Sequence, residues 1–202
     1  QWVERLFNVK VAPVDRIPFI TIPNKWIVFA KLRFLKWGID KSTKKFGRVI
    51  FINPYAKTPK RSWPLEHVAA LIRLLKQQDA WGDVAFVVNI VPEEFKKAQK
   101  FFNKHSLGNT FLFTADHNFF QLPAVMKLCD LIISVETSIM HFASALHVPV
   151  IALMRQKNPE WAPIDKELSV VITAAQRTDW VRDIPVARVM QDLDTVFRTW
   201  QM

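Results

Sequence analysis

Glu136-Thr137-Ser138-Ile139-Met140-His141 gathers a carboxylate, two hydroxyls and an imidazole at what the flanking residues make the start of a helix. A helix start presents unpaired backbone N–H groups and a partial positive charge, which suits a phosphate. Thr137 and His141 lie four residues apart and share one helical face near that end. The same residues also read as a capped helix, because Ser and Thr before an apolar run are preferred caps. A second group is Asn53-Pro54-Tyr55-Ala56-Lys57-Thr58-Pro59-Lys60-Arg61-Ser62-Trp63-Pro64, in which Lys60 and Arg61 offer an ammonium and a guanidinium to an anion. A third is the stretch from Met154 to Pro163, with Arg155, Lys157, Asn158 and Trp161. Glu93 and Glu94 open a helix, where a carboxylate favours the dipole or holds a ribose hydroxyl.

The elements that must position these residues follow from hydrophobic period. Val49–Asn53, Val84–Asn89, Thr110–Phe113, Leu131–Val135, Val148–Leu153 and Ser169–Thr173 are short apolar runs of strand type. Between and after them, Pro64–Gln78, Pro92–Lys104, Phe119–Leu128, Ile139–His147 and Pro185–Trp200 carry helical stripes. In the first, Leu65, Val68, Leu71, Ile72 and Leu75 share one face behind Pro64. Such alternation predicts an α/β domain, a Rossmann-like parallel sheet with helices on both faces, over residues 49–202. Ligands in such sheets bind beyond the carboxyl ends of the strands, so all three groups are expected along one edge. Residues 1–48 differ: a short helix over Gln1–Val9, a connection punctuated by Pro13, Pro18 and Pro23, then a basic amphipathic helix over Asn24–Trp37.

Composition narrows the chemistry. Of 202 residues half are apolar, enough for a full core. A formal net charge of +10 favours anionic partners, and Lys25, Lys31, Arg33, Lys36, Lys41, Lys44, Lys45 and Arg48 concentrate much of it. The single cysteine, Cys129, excludes an internal disulfide and fits a reducing compartment. The five histidines show no metal-site spacing, and neither a Walker A loop nor a GxGxxG is present. No apolar run approaches the roughly eighteen residues of a membrane span. Charge alone would allow nucleic acid, yet no nucleic-acid motif accompanies it, and nucleic acid is not expected as a partner.

In this order the elements resemble the C-terminal domain of the glycosyltransferase family that contains the ADP-heptose:lipopolysaccharide heptosyltransferases. The resemblance rests on Asn53-Pro54-Tyr55-Ala56 with Lys60-Arg61-Ser62-Trp63-Pro64, on Glu136-Thr137-Ser138-Ile139-Met140-His141-Phe142-Ala143-Ser144-Ala145, and on Val148-Pro149-Val150 with Asn158-Pro159-Glu160-Trp161-Ala162-Pro163. Trp2-Val3-Glu4-Arg5-Leu6 is similar to the family's interdomain helix. Three positions depart from the pattern: Glu136 replaces aspartate, and Tyr55 and Ser138 replace glycines, adding side chains where backbone would approach phosphate.

The resemblance implies the C-terminal half of a GT-B fold and an inverting glycosyl transfer. A nucleotide-sugar, ADP-heptose, is then the donor substrate, with no cofactor and no metal. The donor diphosphate would be held by Lys60, Thr137, Ser138 and His141, with Glu136, Thr58, Arg61 and Glu94 as further donor contacts. The catalytic base and the site for a lipopolysaccharide inner-core acceptor would belong to an N-terminal domain that this chain does not contain. Such an enzyme works in the cytoplasm, peripheral on the inner face of the bacterial inner membrane. The helix over Asn24–Trp37 would then either dock on anionic lipid or pack on the N-terminal domain. The alternative from a different class is a non-catalytic, degenerate transferase domain serving as a binding or membrane-docking module.

Overall fold

The computed structural model describes residues 2–40, 46–156 and 159–199. Lys41, Lys44 and Lys45 of the basic stretch, Lys157 and Asn158 of the Trp161 segment, and Gln1 and Trp200 at the ends of expected helices lie outside the described residues.

Six strands form one sheet: β1 (Arg48–Asn53), β2 (Val84–Asn89), β3 (Thr110–Phe113), β4 (Leu131–Val135), β5 (Val150–Met154) and β6 (Ser169–Thr173). All neighbours pair in parallel, in the order β3-β2-β1-β4-β5-β6. Burial explains the composition. β2, β4 and β5 are buried at every residue and β1 at all but Arg48, which is why they read as unbroken apolar runs. β3 and β6, at the edges, are only partly buried.

Among the described residues, seven helices accompany the sheet: α1 (Trp2–Phe7), α2 (Asn24–Lys36), α3 (Leu65–Lys76), α4 (Phe95–His105), α5 (Gln121–Lys127), α6 (Ser138–Leu146) and α7 (Val186–Thr199). One core, with Val68, Leu71, Ile72, Ala98, Val189 and Leu193, lies on the face covered by α3, α4 and α7. The other, with Phe34, Val125, Met126, Met140 and Ala143, lies beneath α2, α5 and α6. Both faces are therefore covered, as the alternation requires. Ala30 and Phe34 of α2, with Ile39 and Phe46 after it, share the second core with Val49 and Phe51, so α2 is part of this layer.

Differences from the expected boundaries have local causes. Pro92–Glu94 forms a 3-10 turn, and α4 begins only at Phe95. α6 stops at Leu146 because His147 adopts a left-handed conformation, φ 52°, in which its N–H donates to Ser144 O and that of Val148 to Ala143 O. Val148 is thus occupied in ending the helix, and β5 starts at Val150.

The chain builds β1, β2 and β3 outward in one direction, then returns to place β4 on the other side of β1. From β1 it leaves toward α3 on one face, and from β4 toward α6 on the opposite face. The tips of β1 and β4, where Asn53 pairs in register with Ser134, flank the crevice that such a reversal opens.

Candidate functional site at the switch point

Three apolar strands carry, at or next to their ends, polar residues that are buried together. Asn53, 2% exposed, closes β1; Asn89 closes β2; Ser134 lies near the end of β4. Asn53 Nδ2 donates to Ser134 Oγ at 3.1 Å and to Thr137 Oγ1 at 3.2 Å, and Asn89 Nδ2 donates to Asn53 Oδ1 at 3.0 Å. A buried amide needs such partners, and the need here ties three strand tips into one platform. Thr137 stands on that platform as the N-cap of α6, accepting the Ile139 N–H at 3.3 Å. Its hydroxyl is thereby committed to structure, and the helix start itself is what faces outward.

A cavity of about 480 Å³ opens at that helix start, lined by Arg61, Glu136, Thr137, Ser138, Met140, His141 and Trp161. The three segments singled out in the sequence thus converge on one opening. Burial pushes the pKa of His141 below its ordinary value of 6.5, which favours the neutral imidazole at neutral pH. Glu136 is nearly inaccessible, its side chain 4% exposed. Its Oε1 accepts from Arg61 Nη2 at 3.3 Å, and its Oε2 accepts from the Arg155 backbone N–H at 3.4 Å. Arg155 Nε lies 3.8 Å from Oε2, a charge contact too long for a hydrogen bond.

Lys60 is not among the described residues lining the cavity: its ammonium sits 5.4 Å from the centre of the Trp180 ring, over which the Arg155 guanidinium lies at 4.6 Å. The separation of Lys60 from Arg61 comes from the 3-10 turn Pro59–Arg61, where successive side chains point about 120° apart. Trp63 fixes that turn: fully buried, it donates its indole N–H to Ile184 O at 2.9 Å and its backbone N–H to Pro54 O at 2.8 Å. Thr58 is exposed, and its carbonyl accepts from the Arg61 and Ser62 N–H groups.

Glu94 stands elsewhere. It lines a separate cavity of about 640 Å³ on the α3–α4 face with Tyr55, Trp63, Glu66 and Arg182. It also pairs there with Lys97 at 3.4 Å. The Tyr55 phenol belongs to that second cavity too, its pKa pushed up to about 12 by burial and by Glu94 and Glu66.

Residues that sequence reasoning left unassigned are Asn89, Ser134 and Trp180. The signal for the first was present, since two apolar strands each end on asparagine.

The sequence model of glycosyltransferase family 9 (heptosyltransferase) matches residues 32–183, most of the chain and every element of the site. The chain belongs to this family. No curated protein matches the sequence at a significant level. Among solved structures, the glycosyltransferase of family 9 from Veillonella parvula superposes with a TM-score of 0.78 at 17% identity, over 98% of this chain and 59% of that one. E. coli ADP-heptose lipopolysaccharide heptosyltransferase II gives 0.70 at 17% identity, over 92% and 55%. E. coli heptosyltransferase WaaC with ADP-2-deoxy-2-fluoro heptose gives 0.60 at 18%, over 76% and 44%. The family 9 chain described here thus spans roughly half the length of these structures and shares their fold. Its six-stranded parallel sheet has the Rossmann-like fold found in one half of GT-B glycosyltransferases. No described helix is long and apolar enough to cross a membrane.

Proposed function

We propose that this chain is the nucleotide-sugar-binding half of an inverting glycosyltransferase, with ADP-heptose as donor and a lipopolysaccharide inner-core sugar as acceptor. The observation that carries it is the cavity at the switch point, where Arg61 and the start of α6 meet over a buried polar platform. In glycosyl transfer the acceptor oxygen bonds the anomeric carbon as the bond from that carbon to the diphosphate oxygen breaks. The diphosphate departs with the electron pair. A cation and a helix start aimed at that oxygen lower the barrier by stabilising the charge it gains. In this chain Arg61 takes the part expected of Lys60, because its guanidinium lines the cavity and can engage two phosphate oxygens at once. Ser138 and the helix-start backbone would hold the adjoining phosphate, and neutral His141 would donate a hydrogen bond to it or to the sugar. The base that deprotonates the acceptor would come from an N-terminal domain. Support for the nucleotide class comes from WaaC, whose structures carry ADP and an ADP-heptose analogue.

A place on the inner face of the inner membrane is supported by α2. Its buried side is spent on this domain, while Val28, Leu32 and Leu35 form an exposed apolar ridge flanked by exposed Lys25, Lys31 and Lys36. The helix carries no acidic residue. An apolar ridge with a lysine rim suits the headgroup boundary of an anionic bilayer.

Calorimetric titration with ADP, ADP-heptose and UDP-sugars tests the donor assignment. ADP and ADP-heptose are expected to bind and UDP-sugars to bind more weakly; absence of binding by every nucleotide would refute it.

A further inference from the structure

Trp161 closes the 3-10 turn Pro159–Trp161 and keeps its side chain outside the fold. It is 58% exposed, whereas Trp63 and Trp81 are buried and Trp26, Trp37 and Trp180 half-buried. A single exposed apolar residue is ordinary on a protein surface; what distinguishes this one is where it stands. The chain is anchored directly after it, since Ala162 packs against the core beneath α2, α5 and α6 and Pro163 is buried. A loose segment therefore does not account for the exposure. Nor does a neighbour occupy the ring. Among the described residues no aromatic ring or cation lies against it, whereas Trp37 stacks on Phe111 and Trp180 faces Arg155. The indole instead forms a wall of the switch-point cavity, with Arg61 and His141.

Strand order limits what that wall can meet. The cavity lies over the tips of β1 and β4; Trp161 comes from the segment after β5, on the β4 side, and the loops after β2 and β3 lie on the β1 side. A diphosphate seated by Arg61 and the α6 start would thus send one substituent toward β2 and β3 and the other across Trp161. The β2–β3 side has a recess of about 440 Å³, lined by Pro92, Phe95, Thr114 and Asp116 among others, in which the Thr114 hydroxyl is buried without a hydrogen-bond partner. An unpartnered hydroxyl in a recess suits the polar edge of a nucleoside. The group to be transferred has the opposite need: an acceptor must reach it, so it belongs at the open side, where Trp161 stands. A sugar ring presents C–H bonds on one face, and these pack on a flat indole by burial and dispersion while the hydroxyls stay in water. We infer that Trp161 is a specificity-determining residue, its indole face the platform for the sugar ring of the nucleotide-sugar. It touches neither the diphosphate nor the nucleoside. The inference rests on the donor-site reading and adds the sugar contact to it.

Calorimetry with adenosine, ADP and ADP-heptose separates the parts of the ligand. Trp161→Ala is expected to weaken ADP-heptose binding about tenfold and to leave ADP and adenosine within about twofold of the parent. Trp161→Phe keeps a flat ring and should recover most of the loss. Both variants should hold Tm within about 2 °C of the parent, because the side chain is exposed. Unchanged ADP-heptose binding in Trp161→Ala overturns the inference. So does an equal loss for ADP, because the ring would then meet the nucleotide portion, and so does a phenylalanine variant as weak as the alanine one. A fall in Tm above about 5 °C overturns it too, since the indole would then be packed into the fold. A parent protein that binds ADP but not ADP-heptose refutes the sugar contact alone. One that binds neither refutes the donor-site reading, and the inference falls with it.

Discussion

Replacing Asn53 by alanine probes the platform under the site most directly. The side chain is 2% exposed and links three strand tips through hydrogen bonds to Ser134, Thr137 and Asn89. The loss falls unevenly. Ser134 Oγ still donates to Val135 O at 2.9 Å, and Thr137 Oγ1 still donates to Val135 O and accepts from the Ile139 N–H, so both hydroxyls keep partners. Asn89 Nδ2 loses its acceptor within the core, which costs about 1–3 kcal/mol. Two further hydrogen bonds at about 1 kcal/mol each bring the expected destabilisation to about 3–5 kcal/mol. At about 2–4 °C per kcal/mol for a domain of this size, Tm should fall by about 10 °C. Thermal and urea unfolding followed by circular dichroism measure it, with ADP calorimetry on the folded variant reporting whether the α6 start has lost its seat. The partner variant Asn89→Ala leaves only an acceptor on Asn53 without its donor and should cost less. The two together should cost less than their sum, because they share one bond. A destabilisation of Asn53→Ala below about 1 kcal/mol, or full additivity with Asn89→Ala, would refute the view that one network holds the strand tips together.

Arg61→Ala should weaken ADP binding by about 1.5–3 kcal/mol, the worth of a hydrogen bond to a charged group, without changing adenosine binding, and Lys60→Ala should do much less; calorimetry ranks the two. Because burial holds the His141 pKa below 6.5, the unfolded chain takes up this proton first as pH falls. Stability should therefore decline from neutral pH downward through 6.5, His141→Asn should flatten that part of the profile, and an NMR titration should find the imidazole midpoint below 6.5. Thr137→Val should cost about 1 kcal/mol through loss of the N-cap, a loss that Thr137→Ser restores in urea unfolding. Leu32→Ser with Leu35→Ser should leave Tm within about 2 °C of the parent, since both residues are exposed, yet remove sedimentation with vesicles rich in anionic phosphatidylglycerol. Equal binding to neutral vesicles would contradict the lysine rim.

Strands and helices were legible because burial imposes period: fully buried β2, β4 and β5 cannot hide in a sequence, and the α3 stripe of Val68, Leu71, Ile72 and Leu75 is the stripe the core uses. Convergence of the Arg61, Glu136 and Trp161 segments was legible too, since a parallel sheet sends the end of every strand to one edge. What the sequence could not show depends on which strands are neighbours and on side-chain direction. Asn53 meets Asn89 across 36 residues and Ser134 across 81, contacts that exist only once β1 is placed between β2 and β4. Lys60 and Arg61 are indistinguishable as candidate cations until a 3-10 turn sends one to Trp180 and the other into the cavity. Glu94 closes the 3-10 turn ahead of α4, beyond the end of β2, where the second cavity lies.

The two glycine replacements differ in consequence, and backbone conformation shows why. Positive φ among the described non-glycine residues occurs at Asn8, Ser106, Asn109 and His147, so neither Tyr55 nor Ser138 stands where the chain needs glycine's freedom. What each adds is volume, and the volumes go to different places. The Tyr55 ring packs against the core on the α3–α4 face and lines the second cavity, leaving the switch-point opening untouched. Ser138 is exposed at the first position of α6 and lines the switch-point cavity itself. A ligand's phosphate would therefore meet a hydroxyl in addition to the helix-start backbone. That hydroxyl can donate a hydrogen bond, so the residue that crowds the anion also offers it a partner. The same trade recurs at Glu136, whose charge would repel a diphosphate if it stood alone. With Arg61 and Arg155 both on it, the cluster carries a net positive charge and presents its cationic side, Arg61, to the opening. A site that has given up glycine at closest approach is in this way still electrostatically suited to an anion, through side chains from the β1, β4 and β5 tips.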